Sequence, residues 1–389
     1  LTHNQRHILF IASWYPNSKQ PVLGNFIQRH ATAAALTNRV SVAAAFSHDG
    51  DEVVEETENG QVHEYISLFR KTEGKGIVAS ISKLRKYRKA LQRAIESAVQ
   101  RNGSPDIIHI HVAWPVALAQ NTITAQFDCP IVLTEHWSGY LPEDGNYKGM
   151  LLKHYTSSLF SKAKAVTVVS ERMQHAMEKH GLHSSFIQLP NAVDDSVFRF
   201  QSDKRPEQFH WLHVSMLVDR EKNIRGLLRA FSQHCKQFNS KLTIIGDGPE
   251  KRELETYAND LGIAERVNFS GLKSAMEIAD IMCKHHALLM FSNFEGMPVT
   301  IIEAKYCGLP VIATDTGAIP EMLNAKYDRL VPVNDESRLV AAMSQIQTQH
   351  TSLTDGDFVT ISEDAIQQYS YSAVNKKLDS IYNSALKKH

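Results

Sequence analysis

Short apolar strands separated by helices recur in two successive runs along this chain of 389 residues, and that doubled alternation leaves few folds open. In the first run, strands are expected near 7–13, 40–46, 106–112, 130–135 and 165–170. Helical stretches near 25–37, 77–101, 115–127 and 149–162 separate most of them. The segment 51–69 alternates through Val62, Tyr65, Ser67 and Phe69, which fits a strand pair inserted into the pattern. Near Asn191 the rhythm breaks, and residues 194–209 are polar with Pro206 among them, as a linker would be. A new strand near 210–217 restarts the alternation, with further strands expected near 241–245, 266–269, 287–291, 310–313 and 329–333. Strands alternating with helices build parallel sheets covered on both faces. The expectation is therefore an α/β chain of two doubly wound, Rossmann-like domains facing each other across a cleft. Residues 1–193 form the first domain, 194–209 the linker and 210–370 the second. A last helix near 371–389 could pack on either domain, including back on the first.

Composition narrows the function classes. Lys plus Arg and Asp plus Glu balance at 42 each, which argues against bulk nucleic-acid binding. The balance hides an asymmetry: residues 1–190 carry 20 basic and 16 acidic side chains, leaving 22 against 26 for the remainder. The four cysteines, Cys129, Cys235, Cys283 and Cys307, show no metal or redox spacing, which reads as reduced thiols in a cytoplasmic compartment. No apolar run approaches the roughly 18 residues of a membrane span. Nor is there a phosphate-binding Gly-x-x-x-x-Gly-Lys-Ser/Thr loop, a Gly-x-Gly-x-x-Gly after the first strand, a His-Glu-x-x-His or a Gly-x-Ser-x-Gly. His109 and His111 share one face of a strand without a carboxylate or cysteine spaced to them, so they read as packed or cleft-edge histidines. Asp49-Gly-Asp51 and Asp355-Gly-Asp357 could hold a divalent ion but sit in polar glycine-containing stretches, which reads as turns. No metal is expected.

The chemistry concentrates between Phe291 and Glu321. An apolar strand ends in a polar turn carrying Glu295-Gly296, and a helix expected to start at Pro298 places Glu303 one and a half turns in. A second buried strand then ends in the turn Thr314-Asp-Thr-Gly317. Both turns lie past the carboxyl ends of strands, where open α/β sheets bind ligands, and free amides at a helix start suit phosphate or sugar oxygens. Taken alone, the two glutamates also fit a loop carboxylate and a helix-start acid favoured by the dipole.

The spacing of Glu295 and Glu303 resembles the paired-glutamate motif of the retaining GT-B glycosyltransferases of glycosyltransferase family 4 (glycosyl transferases group 1). Flanking segments recur in the same order. Ile244-Ile-Gly-Asp-Gly-Pro-Glu250, Arg266-Val-Asn-Phe-Ser-Gly271 and Leu309-Pro-Val-Ile-Ala-Thr-Asp-Thr-Gly-Ala-Ile-Pro-Glu321 match in the second half. Asp106-Ile-Ile-His-Ile-His111, Thr134-Glu-His136, Val168-Val-Ser170 and Pro190-Asn-Ala-Val-Asp194 match more loosely in the first. The resemblance implies an enzyme, hexosyltransferase-like (EC 2.4), that moves a sugar from a nucleotide-diphosphate sugar of the UDP or GDP type. The acceptor hydroxyl would belong to a saccharide or lipid-linked molecule in polysaccharide, lipopolysaccharide or glycolipid biosynthesis. Configuration would be retained, without a metal or other cofactor. By the same resemblance Glu303 takes the ribose hydroxyls, Glu295 the donor sugar's hydroxyls, and Gly271 and Leu272 the base through main-chain contacts. The helix start around Met297, Pro298 and Val299 holds sugar and phosphate oxygens, and Lys222 neutralises the diphosphate leaving group. Gly24 lets backbone approach that phosphate, and Asn191 falls in a donor-side motif. His136 faces the sugar near the reacting carbon.

The chain departs from the family pattern at several places. Met216 stands where the family has an arginine six residues before the lysine, leaving Arg220 or Arg225 to replace it. Leu23-Gly24 and Gly317-Ala318 each carry one glycine of a usual pair, and Met297-Pro298 replaces Phe-Gly. A nucleotide-sugar epimerase on the same fold, and a non-catalytic nucleotide-sugar-binding partner of another transferase, remain as alternative readings. On the acceptor side, Ile77, Ile81, Leu84, Leu91 and Ile95 recur at helical spacing among Lys83, Arg85, Lys86, Arg88, Lys89 and Arg93. A basic amphipathic helix over 77–101 fits contact with anionic lipid on the inner face of the cytoplasmic membrane, and equally a core-packed helix with a solvated basic face.

Overall fold

The computed structural model describes residues 5–202 and 205–387, apart from the side chain of Ile77. The chain divides into two compact units, residues 1–192 with 371–389, and residues 193–370.

The first unit carries β1 (His7–Ala12), β2 (Arg39–His48), β3 (Val53–Asn59), β4 (Val62–Arg70), β5 (Ile107–His111), β6 (Ile131–Glu135), β7 (Ala165–Val168) and β8 (Phe186–Gln188). They lie in the order β3-β4-β2-β1-β5-β6-β7-β8, parallel except for the β3–β4 hairpin. β1, β5, β6 and β7 are buried along their whole length, as strands covered on both faces must be. Strand order reverses between β1 and β5, which lie side by side, so this is the unit's topological switch point.

The final helix, Tyr371–Lys387, inserts Val374, Leu378, Ile381 and Tyr382 into this unit's core. Arg6 fixes it from the sheet side through Asp379 at 2.7 Å and Asn383 at 2.7 Å. The Tyr382 hydroxyl meets His109 Nδ1 at 2.8 Å while Thr134 Oγ1 meets Nε2 at 2.6 Å. Both nitrogens of His109 are thereby used, in keeping with a packed histidine.

The second unit carries β9 (Phe209–Val214), β10 (Ser240–Ile245), β11 (Val267–Gly271), β12 (Ala287–Met290), β13 (Val311–Thr314) and β14 (Arg329–Val331). The order is β11-β10-β9-β12-β13-β14, parallel throughout. The reversal lies between β9 and β12, and every strand ends at the same edge.

Residues 194–209 do not form a free linker. Phe198 is buried in the second unit's core, Phe200 stacks on Phe358 with centroids 6.1 Å apart, and the Arg205 guanidinium lies 4.1 Å from the same ring. The polar composition of the segment hides three anchors. Residues 203 and 204, part of the same expected linker, lie outside the described residues. Asp355-Gly-Asp357, expected as a turn, is instead the first turn of the helix Asp355–Tyr369. Thr354 and Asp357 close a capping box there, so Asp357 satisfies the Thr354 amide, while Asp355 accepts from Ser202 Oγ at 3.0 Å.

The basic helix runs Ile77–Asn102. Its second half packs through Tyr87, Leu91, Ile95 and Ala98, and Arg93 and Arg101 pair with Glu52 and Glu56 of the hairpin side at 2.6 and 3.0 Å. Its first turns differ, with Val78 83% exposed and Ile81 46% exposed.

Candidate active site

The carboxyl edge of the second sheet is built from turns that lock onto one another through backbone. After β9 the chain passes Ser215 and Met216 into the short helix Asp219–Lys222, which ends in Asn223 with a left-handed φ of 48°. After β12 it passes Ser292 to Pro298. The Asn293 amide nitrogen donates to the Glu221 carbonyl at 2.8 Å and its side-chain Nδ2 donates to the Arg220 carbonyl at 2.9 Å. The two turns flanking the switch point are thus tied together independently of any charge.

The charges then meet across that tie. Lys222 Nζ donates to Glu295 Oε1 at 2.7 Å, and Ser292 Oγ donates to the same oxygen at 2.7 Å. Thr314 Oγ1 in turn holds the Ser292 carbonyl at 2.6 Å. The two side chains of the pair are 17% and 9% exposed, so the pair is mostly withdrawn from water yet open on one side. His213 lies beneath, bonded to the Leu289 carbonyl and Ser215 Oγ. Burial holds its imidazole down to about 4, with the Lys222 charge pushing the same way. It is therefore a neutral support beneath Lys222.

The turn after β13 completes the edge. Gly317 has φ 54°, and a Cβ there would stand 2.2 Å from the Glu295 carbonyl oxygen and 2.4 Å from that of Gly296. Ala318 N donates to the Gly296 carbonyl at 2.8 Å. Only glycine permits this backbone approach.

Glu303 is buried on the helix Val299–Tyr306. That helix begins one residue later than its expected start: Pro298 is the N-cap, with φ −70° and ψ 114°. The first helical amides accordingly come from Val299 and Thr300, since proline has none, and Met297 precedes the cap. At the far side of the edge Gly271 closes β11 with φ 69°, and a Cβ added to it would lie 3.7 Å from Lys251 Nζ. Leu272 beside it is 71% exposed and Met216 60% exposed. Arg220 lies over the Phe294 ring at 5.5 Å.

The remaining expected residues belong to the first unit. Gly24 caps the helix Asn25–Ala34 with φ 65°, and a Cβ there would strike the Trp14 carbonyl carbon and oxygen at 2.6 Å. His136 follows β6, is 7% exposed, and its Nε2 faces His111 Nδ1 at 3.3 Å. Asn191 lies beside His136, whose imidazole burial holds well below the ordinary histidine range. The structure thus brings together Lys222, Glu295, Glu303, Met297, Pro298, Val299, Gly271 and Leu272 along one sheet edge, and places His136 beside Asn191 in the other unit. Sequence reasoning missed Ser292, Asn293, Thr314 and His30. A serine directly after an apolar run and three residues before Glu295 was the available signal for Ser292.

Two Rossmann-like sheets, one of them with a cation–carboxylate pair and glycine-hinged turns at its switch point, place these groups where open α/β sheets bind ligands. The comparisons with known proteins agree. Residues 194–354 match the family described as glycosyl transferases group 1, and residues 30–197 match glycosyltransferase family 4. The chain belongs to this family of GT-B glycosyltransferases.

Among curated relatives, the phosphatidylinositol N-acetylglucosaminyltransferase gpi3 subunit of Schizosaccharomyces pombe is 28% identical over 200 residues, covering 50% of this chain and 43% of that protein. The putative teichuronic acid biosynthesis glycosyltransferase TuaC of Bacillus subtilis is 26% identical over 279 residues, covering 67% of this chain and 66% of its own length. The matched stretch therefore spans less than two thirds of each of these relatives. The crystal structure of Anabaena HepE in complex with UDP superposes with a TM-score of 0.72 at 18% identity, covering 97% of this chain and 100% of that one. That likeness concerns the fold.

Proposed function

We propose that this protein transfers a sugar from a nucleotide-diphosphate sugar to an acceptor hydroxyl, with retention of configuration and without a catalytic metal, in the biosynthesis of a polysaccharide, lipopolysaccharide or glycolipid. The observation that carries the reading is the Lys222–Glu295 pair at the switch point of the second sheet. Lys222 supplies a fixed cation where the leaving diphosphate accumulates charge, and the Met297 and Val299 amides add oriented donors. Glu303 accepts from the ribose hydroxyls, and Glu295, fixed by Ser292, accepts from the sugar. Gly271 and Leu272 present backbone to the base. His136, kept neutral by burial, offers a nitrogen to the sugar near the reacting carbon. The leaving phosphate itself takes the acceptor proton, so no carboxylate nucleophile is required.

UDP is bound by the structural neighbour HepE, which favours a uridine diphosphate donor. The exposed Val78 and Ile81, next to exposed Lys83, Arg85 and Lys89, suit a membrane-held acceptor reached from the cytoplasmic face. Among the described residues no helix is long and apolar enough to cross a membrane.

Incubating the chain with a panel of UDP- and GDP-sugars and lipid or saccharide acceptors tests the reading. Nucleoside diphosphate release that depends on acceptor, persists in EDTA and gives an α-linked product from an α-donor, by NMR of the anomeric proton, is expected. A β-linked product would remove retention, and inhibition by EDTA would remove metal independence. The exposed Met216, in place of a phosphate-binding arginine, favours one second reading, a nucleotide-sugar-binding partner of another transferase. Donor binding with no turnover on any acceptor would support that instead.

A further inference from the structure

We infer that His30, His111 and His136 form a three-imidazole site for a divalent transition-metal ion of the zinc, cobalt and nickel class, within the unit that carries the first sheet. Among the described residues these three offer ligand nitrogens that all lie within 4.8 Å of one another. They come from three different elements: the inward face of the helix Asn25–Ala34, the end of β5 and the residue after β6. All three meet beside the switch point of that sheet.

The arrangement has the marks of a ligand set rather than of packed histidines such as His109. His111 Nδ1 and His136 Nε2 stand 3.3 Å apart, close to the roughly 3.3 Å that separates two nitrogens bound tetrahedrally to zinc at about 2.0–2.1 Å. The outer nitrogen of one ring, that of His30, is already held as in metal centres, where the ring nitrogen away from the ion donates to a carbonyl or other polar group. His30 Nε2 meets the Pro190 carbonyl at 2.9 Å, which fixes the tautomer with a lone pair on Nδ1, and that buried nitrogen has no partner. His136 Nδ1 is buried without a hydrogen-bond partner. His111 Nε2 is likewise buried without a partner.

All three rings are buried, and the neutral imidazole is the form that binds metal. Phe10 stacks on His111 with centroids 4.6 Å apart, and Phe26 lies 4.8 Å from His136, giving an apolar surround. A nitrogen-only set selects against magnesium and calcium, which demand oxygen. His30 and His111 are fully buried while His136 keeps 7% exposure. The ion therefore enters at the His136 edge, and solvent supplies its fourth ligand.

Binding does not depend on the transferase reading. If that reading holds, an ion on His136 competes with the donor sugar, so zinc slows turnover while EDTA leaves it intact.

Cobalt(II) titration of the full chain at neutral pH tests the site. The expected result is the visible absorption of tetrahedral cobalt, saturating at one ion per chain, displaced by zinc, with a raised melting temperature. His30→Gln and His111→Asn each weaken binding by at least about tenfold, whereas His183→Gln, at an exposed position, leaves it unchanged. Should both variants fail to fold, 15N-imidazole NMR of the unsubstituted chain decides: zinc must move the ring nitrogens of three buried histidines together. No saturable band, a band that survives in folded His30→Gln or His111→Asn, or zinc-induced changes confined to exposed histidines would each overturn the proposal.

Discussion

Replacing Lys222 by alanine is expected to lower kcat by roughly 10²- to 10³-fold, the usual cost of removing one fixed group that stabilises developing charge. The donor Kd should change less than kcat. The reason is geometric. Lys222 is held against Glu295 at 2.7 Å on a turn that Asn293 ties down through the backbone, so the ammonium is in place before the diphosphate departs. Removing it leaves Glu295 still bonded by Ser292 Oγ, and the edge itself should persist. Lys222→Arg keeps the charge but not the fit beside Glu295, and intermediate activity is expected. Steady-state kinetics with separately measured donor affinity decides the matter. Turnover within a few-fold of the unsubstituted enzyme would reduce Lys222 to a tether for Glu295.

Gly317→Ala is expected to destabilise the second unit by roughly 2–5 kcal/mol. About 1–2 kcal/mol comes from forcing an alanine into the left-handed region and about 1–3 from overpacking. The added methyl would lie 2.2 Å from the Glu295 carbonyl oxygen, so the turn carrying Glu295 must move. Gly262→Ala is the matched control: its φ is 70°, but nothing lies within 4 Å of the added carbon, so only the conformational cost remains. Thermal or urea unfolding of the two variants should separate them by about 1–3 kcal/mol, the overpacking cost alone. Equal losses would mean that the 295–296 and 316–318 turns yield freely and do not fix the site.

These two positions also mark what the sequence could and could not disclose. The central strands were legible because each is a short, wholly buried apolar run. β8 was not, since Phe186-Ile-Gln188 is too short to show an alternation and lies half-buried or exposed at the sheet edge. The helix Asp355–Tyr369 was obscured by an Asp-Gly-Asp that looks like a turn, although Thr354 and Asp357 spell a capping box ahead of Phe358 and Ile361. The segment after Asn191 looked like a linker because its polar residues outnumber the few aromatic anchors that bind it to the second unit. Glu295 and Glu303 were visible through their spacing. Lys222, 73 residues upstream of Glu295, was reached through family resemblance alone, and its ion pair with Glu295 appears only once β9 and β12 lie side by side. The histidine group is further from view: His30 precedes His111 by most of the first sheet, and no local pattern joins them. Parallel sheets gather strand ends that are distant in sequence, so the pairings that make a site are the part a linear reading loses.

Everything proposed for catalysis requires the carboxyl edge of the second sheet to be a nucleotide-sugar site, and calorimetric titration of UDP and GDP into the unsubstituted chain and Glu303→Ala tests that most directly. One nucleotide should bind the unsubstituted chain. Glu303→Ala, deprived of a carboxylate for the ribose, should bind it roughly 10- to 100-fold more weakly, in line with the about 1.5–3 kcal/mol of hydrogen bonds to a charged group. Failure of both nucleotides to bind, or equal affinity in the variant, would contradict it.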